Sequence, residues 1–216
     1  MDSRRPRTPL GAANPALFPP QTAVIATEPT HPSNPPDLAA LVGRARAGDE
    51  RAMEEIIRAF EARVLRLARH MLGDWAEAED VAQEVFLQAF RRLDRLDPAR
   101  NPAGWIVRVT VHACWDRLRE RGRRSEATLA PAELESTLQG PYAAAEQSQQ
   151  REFLRRSLLL LTPRERAVFI LHDVDGEEVA AIAGALRIHR ITVRRHLSRA
   201  RERLRAHLAE MFTQDA

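Results

Sequence analysis

The chain has 216 residues, of which 44% are hydrophobic and 29% charged, a balance typical of a helical globular protein with a core. Its net charge is only +3, although all 33 basic residues are arginine, which excludes a polycation that binds acids indiscriminately. Cys114 is the single cysteine, so an intrachain disulfide is excluded, and no apolar run is long enough for a membrane span or a signal peptide, so we expect a cytoplasmic protein without membrane insertion.

The first part of the chain divides into a proline-rich tail and a unit of four predicted helices. Residues 1–36 hold nine of the fourteen prolines and show no helical period, which predicts a disordered tail. The first helix is expected to begin at Asp37, a good N-cap, and to end near Gly48. The other three are expected to follow the capping residues Asp49, Asp74 and Asn101, the last of them ending near Gly122. Residues 37–122 are therefore the first predicted domain, long enough for one core.

Helical periodicity also predicts which side chains of this domain are buried. Apolar residues recur three and four positions apart along its first three helices. The residues expected to face the core are Leu38, Leu41, Val42, Ala45, Met53, Ile56, Ile57, Phe60, Val64, Leu67, Met71, Val81, Val85, Phe86 and Phe90.

A linker and a second helical domain are predicted to follow. Residues 123–148 lose the periodicity and include two prolines, which indicates a linker. Thr162 and Pro163 form a cap and first-turn pair for a helix that ends before "DVDG" (173–176). Residues 149–211 form the second domain, so the predicted fold class is all-α, with two small helical domains joined by a flexible linker.

The last two predicted helices have the spacing of a helix-turn-helix. The apolar residues expected between them are Val179, Ile182, Ala183, Leu186, Ile188, Val193, Leu197, Ala200 and Leu204. The arginines of the second helix fall mainly off this apolar stripe. A membrane-surface helix would need bulky apolar residues free on its other face, whereas here they bury the preceding helix. A solvated arginine face remains an alternative, although solvated faces usually interleave both signs of charge.

Charge is distributed unevenly along the chain. Residues 187–205 contain eight arginines and one glutamate, and residues 100–124 contain seven arginines and two acids. Residues 73–97, which come just before the first of these basic segments, contain seven acids and three arginines. Two basic segments and one acidic segment predict two nucleic-acid contacts and a different partner for the acidic helix.

Four segments resemble bacterial RNA polymerase sigma factors of the extracytoplasmic-function class. They are "AEDVAQEVF" (78–86), "PAGWIVRVTVHACWDRLR" (102–119), "LTPRERAVFILHDVDG" (161–176) and "TVRRHLSRARERL" (192–204). Their order and spacing over residues 38–208 make the resemblance specific. It implies a sigma factor that binds core RNA polymerase, directs initiation through −10 and −35 promoter elements, needs no cofactor and performs no bond chemistry. It also implies a cytoplasmic protein that is at the nucleoid when bound to polymerase.

The resemblance implies three binding surfaces and one further partner. The helix with "EDVAQEVF" is expected to dock on a coiled coil of the largest polymerase subunit through one helix face, which comprises Asp80, Gln83, Glu84 and Leu87. The residues expected to contact the −10 element are Arg100, Asn101, Arg108, His112, Arg117 and Arg119. The residues expected to contact the −35 element are Arg190, Thr192, Arg194, Arg195, His196 and Arg199. An anti-sigma protein is the further partner that the resemblance implies.

Some residues depart from the family's pattern. His112 stands where asparagine is usual, and Arg187 and Ile191 stand where glycine is frequent. Arg195 and His196 replace residues that are often serine and arginine. The promoter consensus of the family therefore cannot be transferred to this chain. Trp115 is a candidate for stacking on a base, whereas the helical spacing of Trp105 favours a place in the core.

Two other classes of protein remain open on the sequence alone. A helix-turn-helix transcriptional regulator that is not a sigma subunit would explain the C-terminal arginines, but it leaves the acidic helix and the basic 100–124 segment unexplained. A polymerase-binding regulator that has lost promoter recognition would account for the unusual His112, Arg195 and His196.

The sequence offers no basis for catalysis or for a metal site. "DVDGEE" (173–178) lacks the third ligand position and the closing glutamate of a calcium loop. His112 and Cys114 stand two positions apart on a predicted helix, face different directions and have no second ligand pair. We therefore expect no metal, no cofactor and no enzymatic activity.

Overall fold

The computed structural model describes residues 38–93, 102–128 and 153–214, and every regular element in these ranges is helical. The helices are α1 (Leu38–Arg46), α2 (Glu50–Leu72), α3 (Trp75–Arg91), α4 (Pro102–Thr128), α5 (153–159), α6 (Pro163–Phe169), α7 (Val179–Leu186) and α8 (Arg190–Gln214). A π-helical turn, Ile170–Val174, continues α6. The predicted all-α class is confirmed. The proline-rich tail, Asn101 and most of the predicted linker lie outside the described residues.

Helix α2 is the centre of the N-terminal half, where it packs against α1, α3 and α4. Its start follows from Asp49, whose carboxylate accepts hydrogen bonds from the amides of Arg51 and Ala52 at 3.0 and 3.2 Å. Its end follows from Gly73, which has a φ of 74° and donates its amide to the Arg69 carbonyl. Asp74 then caps α3 by accepting the Glu77 amide at 2.9 Å. The predicted starts of α2 after Asp49 and of α3 after Asp74 are confirmed.

The predicted core is largely confirmed, with one clear error. Ile57 and Phe86 are only partly buried, and Phe90 is 63% exposed although the periodicity placed it inside. The buried stripe of α3 continues instead through Ala89, which follows Val85 by four positions. Phe90 follows Val85 by five positions and is therefore turned about 140° around the helix.

Helix α4 continues to Thr128, six residues beyond Gly122, where the sequence predicted its end. Arg124 donates to Glu120 at 2.5 Å, and this pair, four positions apart, spans Gly122. The first six residues of the predicted linker are therefore helical.

The C-terminal half begins with α5, and a capping box stabilises the start of the next helix, α6. The Thr162 hydroxyl accepts the Glu165 amide at 3.4 Å, and the Glu165 carboxylate accepts the Thr162 amide at 3.1 Å. Helix α8 packs against both α6 and α7, so α7 and α8 form the predicted helix-turn-helix. The inner residues of α8 are buried as predicted, and they are Val193, Leu197, Ala200 and Leu204.

The two halves pack against each other, which the sequence did not predict. Helix α7 contacts α4, and α6 contacts both α2 and α4. Two arginines of α2 pair with acids beyond the π-helical turn: Arg63 with Glu177 at 2.5 Å and Arg66 with Asp175 at 3.6 Å. The Arg63 and Glu177 side chains are only 14% and 27% exposed, so solvent screens this pair less than a surface pair.

The carboxyl end of α2 is held by three arginines from other parts of the chain. Arg121 of α4 donates to the Leu72 carbonyl at 3.1 Å, and Arg155 of α5 donates to the Gly73 carbonyl at 3.3 Å. Arg166 of α6 donates to the Met71 carbonyl. The last carbonyl groups of a helix have no donors within it and carry the negative end of its dipole, so guanidinium groups are suitable partners.

Arg166 connects this helix end to the C-terminal half. Its side chain is buried and also donates to the carbonyls of Leu158, Leu159 and Leu161 at 2.8, 3.1 and 3.1 Å. Burial, with a smaller contribution from the nearby Arg121, lowers the pKa of Arg166 to about 10, so the group is still protonated at neutral pH. A buried cation is therefore stabilised by a set of carbonyl oxygens.

Arg166→Met should lower the free energy of unfolding by about 3 kcal/mol, because it leaves three buried carbonyl groups and one partly buried carbonyl group without this donor. Urea unfolding of the full chain, followed by far-ultraviolet circular dichroism, measures the change. Arg58→Met is the control, since Arg58 makes only an exposed pair with Glu54 and should change stability by about 0.5 kcal/mol or less. Equal stability of the two variants would contradict the role given to Arg166.

Candidate nucleic-acid interface

The outer side of α8 carries four exposed arginines, which we call the α8 arginine face: Arg190, Arg194, Arg195 and Arg199. Burial of Val193 and Leu197 on the opposite side directs these arginines towards solvent. Among the residues that the structure describes, no acidic side chain forms an ion pair with any of the four. The result is a concentrated positive surface at the start of the second helix of a helix-turn-helix, suited to phosphate groups.

The next two arginines of α8 have a different role. Arg201 makes two bonds to the Asp173 carboxylate, at 3.0 and 2.5 Å, and the hydrogen bonding raises the pKa of Arg201. Arg203 lies 3.5 Å from the buried carboxylate of Glu165. These pairs attach α8 to α6 and to the π-helical turn. The sequence alone did not separate them from the exposed arginines.

One of the residues predicted to contact the −35 element is buried in the structure. The His196 side chain is only 9% exposed and lies on the buried side of α8, next to Leu197. Burial first, and then the neighbouring Arg195, lower the pKa of His196, so the ring is neutral at pH 7. Thr192 is half-buried. His196 is therefore an interior residue, because the buried stripe is wide enough to include both 196 and 197.

Sequence reasoning missed Ile191 as a functional candidate. Its side chain is 72% exposed on the first turn of α8, between Arg190 and Thr192. A branched apolar residue outside the buried stripe of an arginine-rich helix was the available signal. The turn before Ile191 is also unusual, because Arg187 ends α7 in the left-handed conformation, which is uncommon for residues other than glycine, with a φ of 56°.

Helix α4 presents the described residues of the predicted −10 surface. Arg108 is half-buried, and burial together with the positive charge of Arg187 lowers its pKa. His112 is exposed, and its Nδ1 donates to the Arg108 carbonyl at 2.7 Å. Arg117 lies 4.0 Å from Asp80, and Arg119 pairs with the neighbouring Asp116. Arg100 and Asn101 lie outside the described residues.

Trp115 lies where α4 meets the C-terminal half. Its indole Nε1 donates to the Pro163 carbonyl at 3.1 Å, and the Arg164 guanidinium lies 5.9 Å from the ring centroid. The centroid of the His112 ring lies 5.1 Å from that of Trp115, with the two ring planes tilted by 56°. In this arrangement Trp115, the candidate for stacking on a base, is instead in contact with other protein groups.

Helix α3 presents the predicted docking ridge to solvent. Asp80, Gln83, Glu84 and Leu87 are all exposed, with Leu87 55% exposed. The exposed ring of Phe90 extends this ridge by three residues. Acidic groups followed by two exposed apolar side chains form a surface for a basic, partly apolar partner.

The single cysteine of the chain, Cys114, is buried in α4. Burial raises the pKa of the Cys114 thiol to about 12, so this group is neither a ready nucleophile nor a ready metal ligand. Within the described ranges, no cluster of three or more His, Cys, Asp or Glu side chains is arranged to hold a metal ion. None of the described helices has the length and apolar character needed to cross a membrane.

Comparison with known proteins places this architecture in a family. Residues 56–124 match the family model "Sigma-70 region 2", and residues 152–204 match "Sigma-70, region 4". The ECF RNA polymerase sigma factor SigE of Mycolicibacterium smegmatis is 33% identical over 178 residues, which cover 78% of this chain and 67% of SigE. The chain therefore belongs to the extracytoplasmic-function (ECF) class of sigma-70-like sigma factors, as the sequence predicted.

Two solved structures share the fold. CnrH, in complex with the cytosolic domain of CnrY, has a TM-score of 0.62 at 22% identity, over 80% of this chain and 97% of CnrH. The sigma factor RpoE of Bartonella quintana, in complex with the anti-sigma factor NepR, has a TM-score of 0.61 at 20% identity, over 72% of this chain and 96% of RpoE. Both confirm the helical architecture of the two halves.

His196→Leu should keep the binding of promoter DNA and make stability less dependent on pH. The folded state disfavours the imidazolium, so the stability associated with the neutral ring is present above the unfolded pKa of about 6.5 and is lost as the pH falls below it. Urea unfolding at pH 7.5 and 5.5 should therefore show a smaller loss for the variant than for the unmodified chain. Some loss remains, because burial also lowers the pKa of His70, to about 4. A selective loss of DNA affinity in the variant would instead return His196 to the DNA surface.

Proposed function

We propose that this sigma factor has three exposed surfaces, each with its own binding role. The α3 surface binds core RNA polymerase, the α4 surface binds the −10 strand, and the α8 surface binds the −35 duplex. The observation that carries this proposal is the unpaired α8 arginine face, on a helix-turn-helix whose chain also matches sigma-70 region 2. A regulator with a helix-turn-helix alone has no need of the region 2 unit.

The docking proposal for α3 is supported by its exposed acids. Asp80, Gln83 and Glu84 present carboxylate and amide oxygens that can accept bonds from arginines of a partner helix. Leu87 and Phe90 add exposed apolar area at one end of the ridge. The coiled coil of the largest polymerase subunit is the partner we propose for this ridge.

The −10 proposal for α4 has a consequence for the relation between the two halves. Arg108, His112, Arg117 and Arg119 supply cations and hydrogen-bond donors along one helix. The ring of Trp115 donates to Pro163 and lies beside Arg164, both in the C-terminal half. Stacking of a base on Trp115 therefore requires the C-terminal half to move away from α4.

The −35 proposal for α8 assigns its arginines by position. Arg190, Arg194 and Arg195 lie in the first two turns, where side chains of a recognition helix reach base edges, together with Thr192. Arg199 lies a turn further along and is assigned to the phosphate backbone. The affinity for DNA is expected to fall steeply with salt, because each phosphate contact releases counterions.

The same proposal covers activity, location and regulation. The chain contributes binding energy to initiation and no catalytic group of its own. It acts in the cytoplasm, at the nucleoid when it is bound to polymerase. The similar CnrH and RpoE folds were solved with CnrY and the anti-sigma factor NepR, which supports an anti-sigma protein as a partner of this chain as well.

Transcription in vitro tests the proposal as a whole. Core RNA polymerase with the purified chain should produce RNA with defined 5′ ends from a library of genomic fragments, whereas core polymerase alone should not. The 5′ ends should lie downstream of a shared pair of sequence elements. Absence of both core binding and directed initiation would refute the proposal and leave the helix-turn-helix regulator as the alternative.

Asp80→Arg combined with Glu84→Arg should weaken binding to core polymerase about tenfold or more, because it places cations where the ridge offers carboxylates. Titration of labelled protein with core polymerase measures the affinity. Glu54→Arg with Glu61→Arg is the matched control, since it makes the same charge change at two exposed positions of α2. Equal affinity of the two double variants would show that the α3 ridge is not the docking surface.

A further inference from the structure

An exposed apolar side chain stands at the start of α8. Ile191 is 72% exposed, compared with 63% for Phe90 and 55% for Leu87. It lies on the side of the helix away from the buried Val193 and Leu197. The fold makes no use of this side chain for packing, so its apolar surface is available to a partner.

The charges around Ile191 identify the kind of partner. Arg190, Arg194 and Arg195 stand one, three and four positions away and are all exposed. The first acidic residue along α8 is Glu202, more than two turns further on. A lipid or an apolar protein surface would gain little from one isoleucine and would leave these guanidinium groups without counter-charges. Duplex DNA supplies phosphates for the arginines and base edges for the side chain between them.

The space beside Ile191 is open on the side of α7. A depression of about 620 Å³ is lined by residues of α7, the turn and the start of α8, and these are Ala180, Ala183, Gly184, Ile188, His189, Arg190 and Ile191. A Cβ atom at Gly184 would meet nothing within 4 Å, so glycine is not required there by close packing within the protein. The small side chains of α7 therefore leave the first turn of α8 open to solvent on this side.

Only one feature of the major groove matches this side chain. Ile191 has no hydrogen-bonding group, and the C5-methyl group of thymine is the one apolar group that the four base pairs present there. We propose that Ile191 contacts a thymine methyl group in the −35 element and makes this chain select a T·A pair at that position. The inference rests on the proposed function, in which α8 binds the −35 duplex. Arg194 and Arg195, on the same side of the helix, bind the neighbouring bases or phosphates.

Replacement of thymine by deoxyuracil tests this contact, because it removes the methyl group and leaves base pairing intact. Holoenzyme assembled from the full chain and core polymerase first selects its preferred sequence from randomised −35 duplex DNA fused to a constant −10 region. Each thymine of the selected element is then replaced singly by deoxyuracil, and affinities are measured for the unmodified chain, Ile191→Val, Ile191→Ala and Arg195→Ala.

One deoxyuracil replacement should weaken binding of the unmodified chain about fourfold, the effect of losing one buried methyl group. The same replacement should have little effect on Ile191→Ala, an intermediate effect on Ile191→Val and the full effect on Arg195→Ala, whose own affinity is lower on both DNAs. Urea unfolding should be unchanged in Ile191→Ala because the side chain is exposed.

The outcomes separate this inference from the proposed function. If the holoenzyme selects a −35 sequence but no deoxyuracil replacement matters, or if the effect persists in Ile191→Ala, the thymine contact is wrong and the proposed function stands. If the holoenzyme selects no −35 sequence, the proposed function of α8 is refuted together with the contact.

Discussion

The last carbonyl groups of α2 have no donors within their own helix, and the packing of the C-terminal half against α2 depends on how they are satisfied. Arg121 supplies one donor from the same half, and Arg155 and Arg166 supply the others from the C-terminal half. Arg166 also donates hydrogen bonds to three carbonyl groups of its own half, so one buried guanidinium group connects the two halves. Because each buried carbonyl that loses its donor costs free energy, this contact holds α6 against α2 and thereby α7 against α4.

The arginines of this chain, which has no lysine, have different roles that depend on what their guanidinium groups contact. Arginine is permanently charged and has five donors in a planar fork, so it serves both buried carbonyl clusters and phosphate groups. Arg166 is used inside the protein, and Arg201 and Arg203 are paired with acids of the preceding helices. Arg190, Arg194, Arg195 and Arg199 are exposed and form no ion pair with any acid that the structure describes, and we propose that they are the ones that bind DNA. The binding surface is thus defined by pairing and burial, and not by the number of arginines in the segment.

Short-range features of the fold were predictable from the sequence, whereas several features of the candidate site were not. Asp49, Gly73 and Thr162 act on backbone groups within four residues, so their caps could be predicted from residue type and spacing. Phe90 and His196 lie at the margins of buried stripes, where periodicity does not decide between a core side chain and an exposed one. The structure exposes Phe90 and buries His196.

The sequence by itself determined the helical class, most helix ends, the helix-turn-helix and the family, because caps, apolar spacing and ordered motifs are all local properties of the chain. Only the tertiary structure decided that the two halves are in contact, that Trp115 donates to Pro163, and that Ile191 stands exposed among unpaired arginines. Those facts depend on residues tens of positions apart. No local pattern specifies which distant carbonyl, carboxylate or ring a given side chain will meet.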